Sequence, residues 1–168
     1  IKVPLSLKMG PSFSSLANML RRVDELSIDG VVLFNRFYSP DIDIDKLSLV
    51  PAQMLSSEDE YALSLRWTAL MSEEVRYDIC ASTGIYTGST VVKQLLAGAK
   101  AVQLCSVLLK HGLSSVKKIE AELEQWMDSH NYSRIADFNG NLAQERMNDP
   151  AKWERVQYMK SILSAQKG

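Results

Sequence analysis

Short apolar runs alternate with longer stretches of helical spacing along the first two thirds of the chain. Four of these runs predict strands: Val3 to Met9, Gly30 to Asn35, Asp78 to Thr83 and Ala101 to Cys105. Each is separated from the next by helix-compatible sequence, the order of parallel βα units and not of hairpins. Behind "GPSFSS", the segment "LANMLRRVDELS" sets Leu16, Met19, Leu20, Val23 and Leu26 at helical spacing, with Arg21, Arg22 and Asp24 between them. "DEYALSLRWTALMSEE" predicts a second helix. "GSTVVKQLLAG" predicts a third, which starts behind a serine-threonine cap and stops at Gly98. The joins repeat, since "LSIDGVVLFN" and "LLAGAKAVQLCS" both read as helix end, small-residue turn and buried strand. The pattern is a half-repeat of a larger βα array.

Beyond the fourth strand the spacing turns helical. "SSVKKIEAELEQWMDSH" puts Val116, Ile119, Leu123, Trp126 and Met127 on one stripe, and "DPAKWERVQYMKSILSAQ" opens with Asp149 as cap and Pro150 at the first helical position. The segment "RFYSPDIDIDKLSLVPAQMLSS" alternates Ile42, Ile44 and Leu47 and predicts an excursion, a small hairpin, between the second strand and its helix. The organisation expected is one domain over residues 1–168, with four βα units in 1–112 and C-terminal helices in 113–168. Alternation in the first strand gives Val3, Leu5, Leu7 and Met9 to the helices. Lys8, with Asn35, Ser82 and Cys105, is then expected on the opposite face near the strand C-terminal ends, where the active sites of (β/α)8 barrels lie.

Composition narrows the class. The chain has 168 residues, 46% of them hydrophobic, enough for a substantial core, and its net charge of -1 carries no basic run that would read as a nucleic-acid or membrane footprint. No apolar stretch approaches the ~20 residues a bilayer span needs, and no signal-peptide pattern opens the sequence. Cys80 and Cys105 lie within apolar runs, as expected of a reduced, cytoplasmic protein. The chain opens on Ile1 and enters a strand almost at once, as a chain beginning in mid-fold does.

Candidate chemistry centres on the turns Thr83-Gly84-Ile85 and Cys105-Ser106. Small residues after the last two strands of a barrel let backbone N–H groups approach a phosphate; ordinary strand-to-helix turns share the spacing, so both readings stand. "DIDIDK" opens like a calcium loop, but Lys46 stands where that loop needs glycine and Ala52 where it needs glutamate, so a solvated strand face is the expectation. His111 and His130 close helices without a partner cluster, and Cys80 reads as a small strand-interior hydrophobe. Arg36, Phe37 and Tyr38 follow Asn35 and either line a site mouth or anchor an exposed loop.

Taken in order, "VPLSLKMGPSFSS", "GVVLFN", "ICASTGIYTGSTVVKQLLAGAKAVQLCSVLLKHG" and "YSRIADFNGNL" resemble the C-terminal half of dihydroorotate dehydrogenases, most closely the soluble class 1 group and its relatives, over about residues 2 to 142. The tail from Ser133 to Leu142 is its most specific companion to the phosphate turns. The resemblance implies an α/β fold: strands five to eight of an FMN-containing (β/α)8 TIM barrel, with extra C-terminal helices. It implies oxidation of the C5–C6 bond of dihydroorotate to orotate in pyrimidine biosynthesis, hydride passing to FMN while a base takes the other proton.

The same resemblance implies individual roles. Lys8 contacts the flavin and acts in catalysis; Asn35 contacts orotate; Thr83, Gly84 and Ile85, with Cys105 and Ser106, hold the FMN phosphate; Ser57, beside Ser56, stands in the flavin-facing loop "MLSSEDEYALS". Thr83 and Cys105 occupy positions where the family has glycine. The family's base, a cysteine or serine, lies on a loop of the N-terminal half, and neither Cys80 nor Cys105 matches it. Four parallel strands alone would leave open edges and an exposed inner face, including Val31 and Leu33, so a homodimer or pairing with the N-terminal half is expected. Two alternatives remain at this point: a non-catalytic phosphate-binding or assembly module, and another phosphate-binding barrel oxidoreductase with a different substrate.

Overall fold

The computed structural model describes residues 2–37 and 39–154. The elements are β1 (Ser6–Met9), α1 (Leu16–Asp24), β2 (Gly30–Leu33), β3 (Pro40–Asp43), β4 (Ser48–Pro51), α2 (Tyr61–Met71), β5 (Asp78–Ser82), α3 (Gly88–Leu96), β6 (Ala101–Gln103), α4 (Ser106–His111), α5 (Ser114–Ser129) and α6 (Ala151–Glu154). Tyr38 and the remainder of the expected last helix, 155–168, lie outside the described residues.

Strands β1, β2, β5 and β6 form one parallel sheet in that order, while β3 and β4 pair antiparallel as the hairpin expected between β2 and α2. The register sets Lys8, Val32, Cys80 and Ala101 in one row and Ser82 beside Gln103 in the next, all on one face. Met9, Leu33, Ala81 and Val102 share the other face, and the helices cover it. One cluster joins Met9, Val31 and Leu33 to Leu16, Leu20 and Val23 of α1 and Met71 of α2. A second joins Ala81 to Val91 and Leu95 of α3, Ile119 of α5 and Phe138.

Two expectations are corrected here. Val31 and Leu33 are fully buried under the helices and do not lie on the inner face, because the pairing of Val32 with Lys8 fixes the phase of β2. Of the first strand's apolar residues only Met9 enters the core. Val3, Leu5 and Leu7 are exposed, since β1 is an edge strand with no further strand beside it among the described residues.

Helix α3 is closed at both ends by the C-terminal segment. Thr87 is its N-cap, its Oγ1 accepting the Thr90 N–H at 3.2 Å, and the Glu122 carboxylate of α5 accepts the Gly88 N–H at 2.6 Å. Past α5 the tail folds back: Asn139 Nδ2 donates to the Leu95 and Ala99 carbonyls at 3.0 and 2.7 Å. The N–H groups of Gly140 and Leu142 reach Leu95 and Leu96 at 2.9 and 2.8 Å. These donors meet carbonyls of the last turn of α3 and of Ala99 just beyond it. Phe138 beneath them is fully buried, so "FNGNL" is both a plug and a cap. Among the described residues no helix is long and apolar enough to cross a membrane.

Candidate active site

A cavity of about 310 Å³ opens at the C-terminal ends of the parallel strands. Lys8 reaches it from β1 and Asn35 from the turn after β2; Ser82, Thr83, Gly84 and Ile85 come from the end of β5, and Gln103, Cys105 and Ser106 from β6 and the turn beyond. Every site residue expected from the sequence meets here except Ser57. That side chain turns away, its N–H and hydroxyl both donating to Glu60 Oε1, at 2.8 and 3.2 Å, where α2 begins. Its neighbour Ser56 takes the place in the wall. The loop has no periodicity to phase it, so sequence gave no signal that separates the two serines.

Lys8 Nζ donates to Gln103 Oε1 at 3.0 Å, crossing the sheet from one edge strand to the other. Among the described residues no carboxylate pairs with it, so its charge is held by a neutral amide. Between them on the same face lies Cys80. Burial pushes its thiol above the ordinary value, with Lys8 opposing the shift, and the group is a poor thiolate at neutral pH. Cys105 is exposed at the turn into α4.

The two turns treat their departures from glycine differently. Thr83 has φ +80°, in the left-handed region where a β-branched residue is strained, and its Oγ1 donates to the Phe34 carbonyl at 3.1 Å. Gly84 follows at φ +72°, and a Cβ there would collide with the backbone N of Tyr61 at the start of α2. Cys105 has φ -137°, outside the left-handed region that favours glycine.

Ser56 ties these turns together. Its Oγ accepts the Gly84 N–H at 3.3 Å and lies 2.9 Å from Ser106 Oγ, which also accepts the Ser56 N–H at 2.9 Å. Its carbonyl accepts from the Tyr86 hydroxyl at 2.6 Å and from Lys110 Nζ at 3.2 Å.

Arg36 holds the loop that carries Ser56. Its Nε donates to Glu60 Oε2 at 2.9 Å, and its Nη1 donates to the Met54 carbonyl at 2.9 Å and to that of Gln53. Burial pushes the Glu60 carboxyl up, but Arg36 and the Ser57 N–H outweigh it and hold the group below the ordinary glutamate value. Arg36 is thus an anchor that also lines the cavity. An adjoining cavity of about 450 Å³ shares Asn35, Arg36, Ser82 and Thr83 and adds an apolar wall of Phe34, Phe37 and Leu63.

The remaining sequence motifs have structural explanations. In "DIDIDK" the Asp43 carboxylate accepts the N–H groups of Asp45 and Lys46 at 3.1 and 2.9 Å and pairs with Lys46 Nζ at 3.0 Å, closing the hairpin turn. His111 stands edge-on to Tyr86, and His130 stacks on Trp126 with ring centroids 4.3 Å apart.

A parallel βα sheet with its polar side chains gathered beyond the strand C-terminal ends defines an α/β scaffold of the kind barrel enzymes use. The family model for dihydroorotate dehydrogenase matches residues 1–127, and the chain belongs to that family. It is 26% identical over 143 residues to the catalytic subunit of dihydroorotate dehydrogenase B (NAD(+)) of Thermoplasma volcanium, covering 83% of this chain and 47% of that protein. It is 27% identical to the chloroplastic dihydropyrimidine dehydrogenase (NADP(+)) of Arabidopsis thaliana, covering 84% of this chain and 37% of the relative. The crystal structure of DHODH from Eimeria tenella in complex with ferulenol superposes with a TM-score of 0.65 at 20% identity, covering 81% of this chain and 37% of that one, a likeness of fold. The chain spans less than half the length of each of these proteins.

Proposed function

We propose that this chain, one domain lacking the catalytic base, supplies strands five to eight of an FMN-dependent (β/α)8 dihydroorotate dehydrogenase, the intact protein oxidising dihydroorotate to orotate in pyrimidine biosynthesis. The observation that carries the reading is the convergence of four separate strand ends on one cavity, with Lys8, Asn35, Gly84 and Ser106 in its wall. In this reading Lys8, Thr83, Gly84, Ile85, Cys105 and Ser106 hold the cofactor, and Asn35 holds the substrate.

The residues present fit such a group. Lys8 is a cation without a carboxylate partner among the described residues, so its charge remains available to an anionic ring edge. At the other end of the cavity, the Gly84 N–H, once Ser56 Oγ gives it up, and the hydroxyl of Ser106, whose oxygen accepts from Ser56, supply donors for a phosphate. When bound, FMN supplies the two-electron acceptor. Asn35 offers both a donor and an acceptor to a cyclic amide, and its own backbone N–H is fixed to the Met9 carbonyl at 2.7 Å. Phe34, Phe37 and Leu63 set an apolar wall beside it. Cys80 is unsuited to be the base, which this reading assigns to the N-terminal half of the barrel.

The exposed Val3, Leu5 and Leu7 at the β1 edge support association, as pairing with that N-terminal half or as a homodimer, in a cytoplasmic protein. A second reading, a non-catalytic phosphate-binding or assembly module, draws on Ser56, whose hydroxyl already accepts the Gly84 N–H and donates to Ser106 Oγ from within the chain.

The test uses the protein with its complete barrel. Purified protein is expected to carry one flavin per chain whose visible absorbance bleaches on anaerobic addition of dihydroorotate. Failure to retain flavin after reconstitution with excess FMN favours the module; retained flavin that dihydroorotate leaves oxidised points to another substrate.

A further inference from the structure

We propose that the pocket between the end of α4 and the N-terminus of α5 is a second anion site, whose ligand is a phosphate monoester that carries hydroxyls, a sugar phosphate in its simplest form. The pocket has a volume of about 440 Å³, within the range of small-molecule sites, and shares no lining residue with either cavity described above. It does not rest on the flavin reading.

Ser115 carries the inference. It is only 8% exposed, it lines the pocket, and its hydroxyl has no hydrogen-bond partner among the described residues. A hydroxyl withdrawn from water to that degree without a partner costs stability, and a ligand in the pocket restores the missing bond.

The groups around it share one preference. Helix α5 runs for 16 residues and opens with neither a side-chain cap nor an acidic residue in its first turn. The N–H groups of Ser115 and Val116 turn back to the Gly112 and Leu113 carbonyls at 3.2 and 3.1 Å, while that of Ser114 has no acceptor among the described residues. Lys117 and Lys118 follow at once, cations set against the positive end of the helix dipole, an arrangement that an anion relieves. Lys118 is held loosely, its Nζ 3.9 Å from Glu122, whose other carboxylate oxygen accepts the Gly88 N–H. His111 adds a ring nitrogen from the end of α4.

The opposite preference of one residue narrows the ligand. Glu58, from the loop before α2, is the single carboxylate among the lining residues; it repels a bare anion but accepts hydrogen bonds from alcohols. Tyr86 and Val107, both buried, add apolar wall. A phosphate seated on α5 with its hydroxyls turned to Glu58 satisfies both, whereas inorganic phosphate satisfies only the first.

Equilibrium dialysis of the complete protein against ribose 5-phosphate, and against inorganic phosphate, tests this. The ester is expected to bind more tightly than inorganic phosphate. Ser115→Ala and Lys118→Glu should each weaken it about tenfold, the worth of a hydrogen bond to a charged group, and Glu58→Ala should remove the preference for the ester. Flavin retention is expected to be equal in all three variants, so this result and that of the flavin reading are independent. Binding of neither probe at millimolar concentration, or affinity that Ser115→Ala and Lys118→Glu leave unchanged, overturns the site. A preference that is absent in the wild type, or that survives Glu58→Ala, overturns the assignment of a hydroxylated ester. Should Ser115→Ala fold poorly, the exposed Lys118→Glu change and the wild-type Ser114 amide resonance decide: ribose 5-phosphate must shift that resonance, and a static one overturns the proposal.

Discussion

Lys8 on one edge strand and Gln103 on the other are joined by a 3.0 Å hydrogen bond that spans the polar face of the whole sheet. A neutral amide orients the ammonium without cancelling its charge. Gln103→Glu would convert the contact into an ion pair, and Lys8→Ala would remove the cation. Both variants are expected to lower the reduction potential of the bound flavin and to slow its reduction by substrate, by about 100-fold for Lys8→Ala, the scale of losing one preorganised electrostatic contact. Anaerobic stopped-flow reduction and redox titration measure this. An unchanged potential in flavin-loaded Lys8→Ala protein removes Lys8 from the chemistry.

Asn35 separates from Lys8 in the same assay. Asn35→Ala should raise KM for dihydroorotate by more than it lowers kcat, because it takes away contacts to bound substrate while leaving the flavin's surroundings intact. A potential shift in that variant would reassign Asn35 to the cofactor side.

Thr83 gives an inverted stability order. Its left-handed backbone costs about 1–2 kcal/mol for a residue with a Cβ, and its hydroxyl bond to Phe34 returns about 1 kcal/mol. Thr83→Gly relieves the first and loses the second, so urea denaturation should find it within about 1 kcal/mol of the parent. Thr83→Val keeps the strain and leaves the Phe34 carbonyl unpaired, so it should lose about 1–2 kcal/mol. A valine variant more stable than the glycine variant would contradict the strain.

Gly84 admits no such latitude. Gly84→Ala combines a positive φ with collision against the backbone of Tyr61 and should cost about 3 kcal/mol or more, with α2 displaced. Circular dichroism melts of the two variants, side by side, distinguish the strained turn from the crowded one.

Tyr77 predicts the alkaline limit of stability. Burial, with the charge of Asp24 adding to it, pushes its hydroxyl far above the ordinary tyrosine value, while the group donates to the Leu20 carbonyl at 3.1 Å. Above about pH 10 the unfolded chain releases this proton and the folded chain retains it. Stability is therefore unaffected by this group below that pH and falls as pH rises beyond it. Tyr77→Phe should lose about 1 kcal/mol at neutral pH and show a shallower decline between pH 10 and 11 in urea melts.

The order of elements was legible because strands of period two and helices of period 3.6 were separated by clear turn residues. Lys8 could be phased because it is polar between Leu7 and Met9. In "GVVLF" every residue is small or apolar, so nothing in β2 marks the core face, and only the pairing of Val32 with Lys8 decides it. The turns at Thr83 and Cys105 were visible as departures from glycine, but sequence could not tell that one has φ +80° and the other φ -137°. Asn139 lies within the tail from Ser133 to Leu142, and the sequence assigns it no role. Its task, capping Leu95 and Ala99 from some forty residues away, exists only in the folded chain.

The hold of Arg36 on Gln53 and Met54 reaches beyond the cavity. It brings both ends of the β3–β4 excursion together at its base, so most of the entropy of closing that loop is settled there and not along its length. Each doubling of the excursion then adds only about 0.6 kcal/mol. The hairpin is in this respect an appendage on a sealed stem: descendants of this gene are free to lengthen it, shorten it or exchange it while Asn35 and Ser56 keep their places.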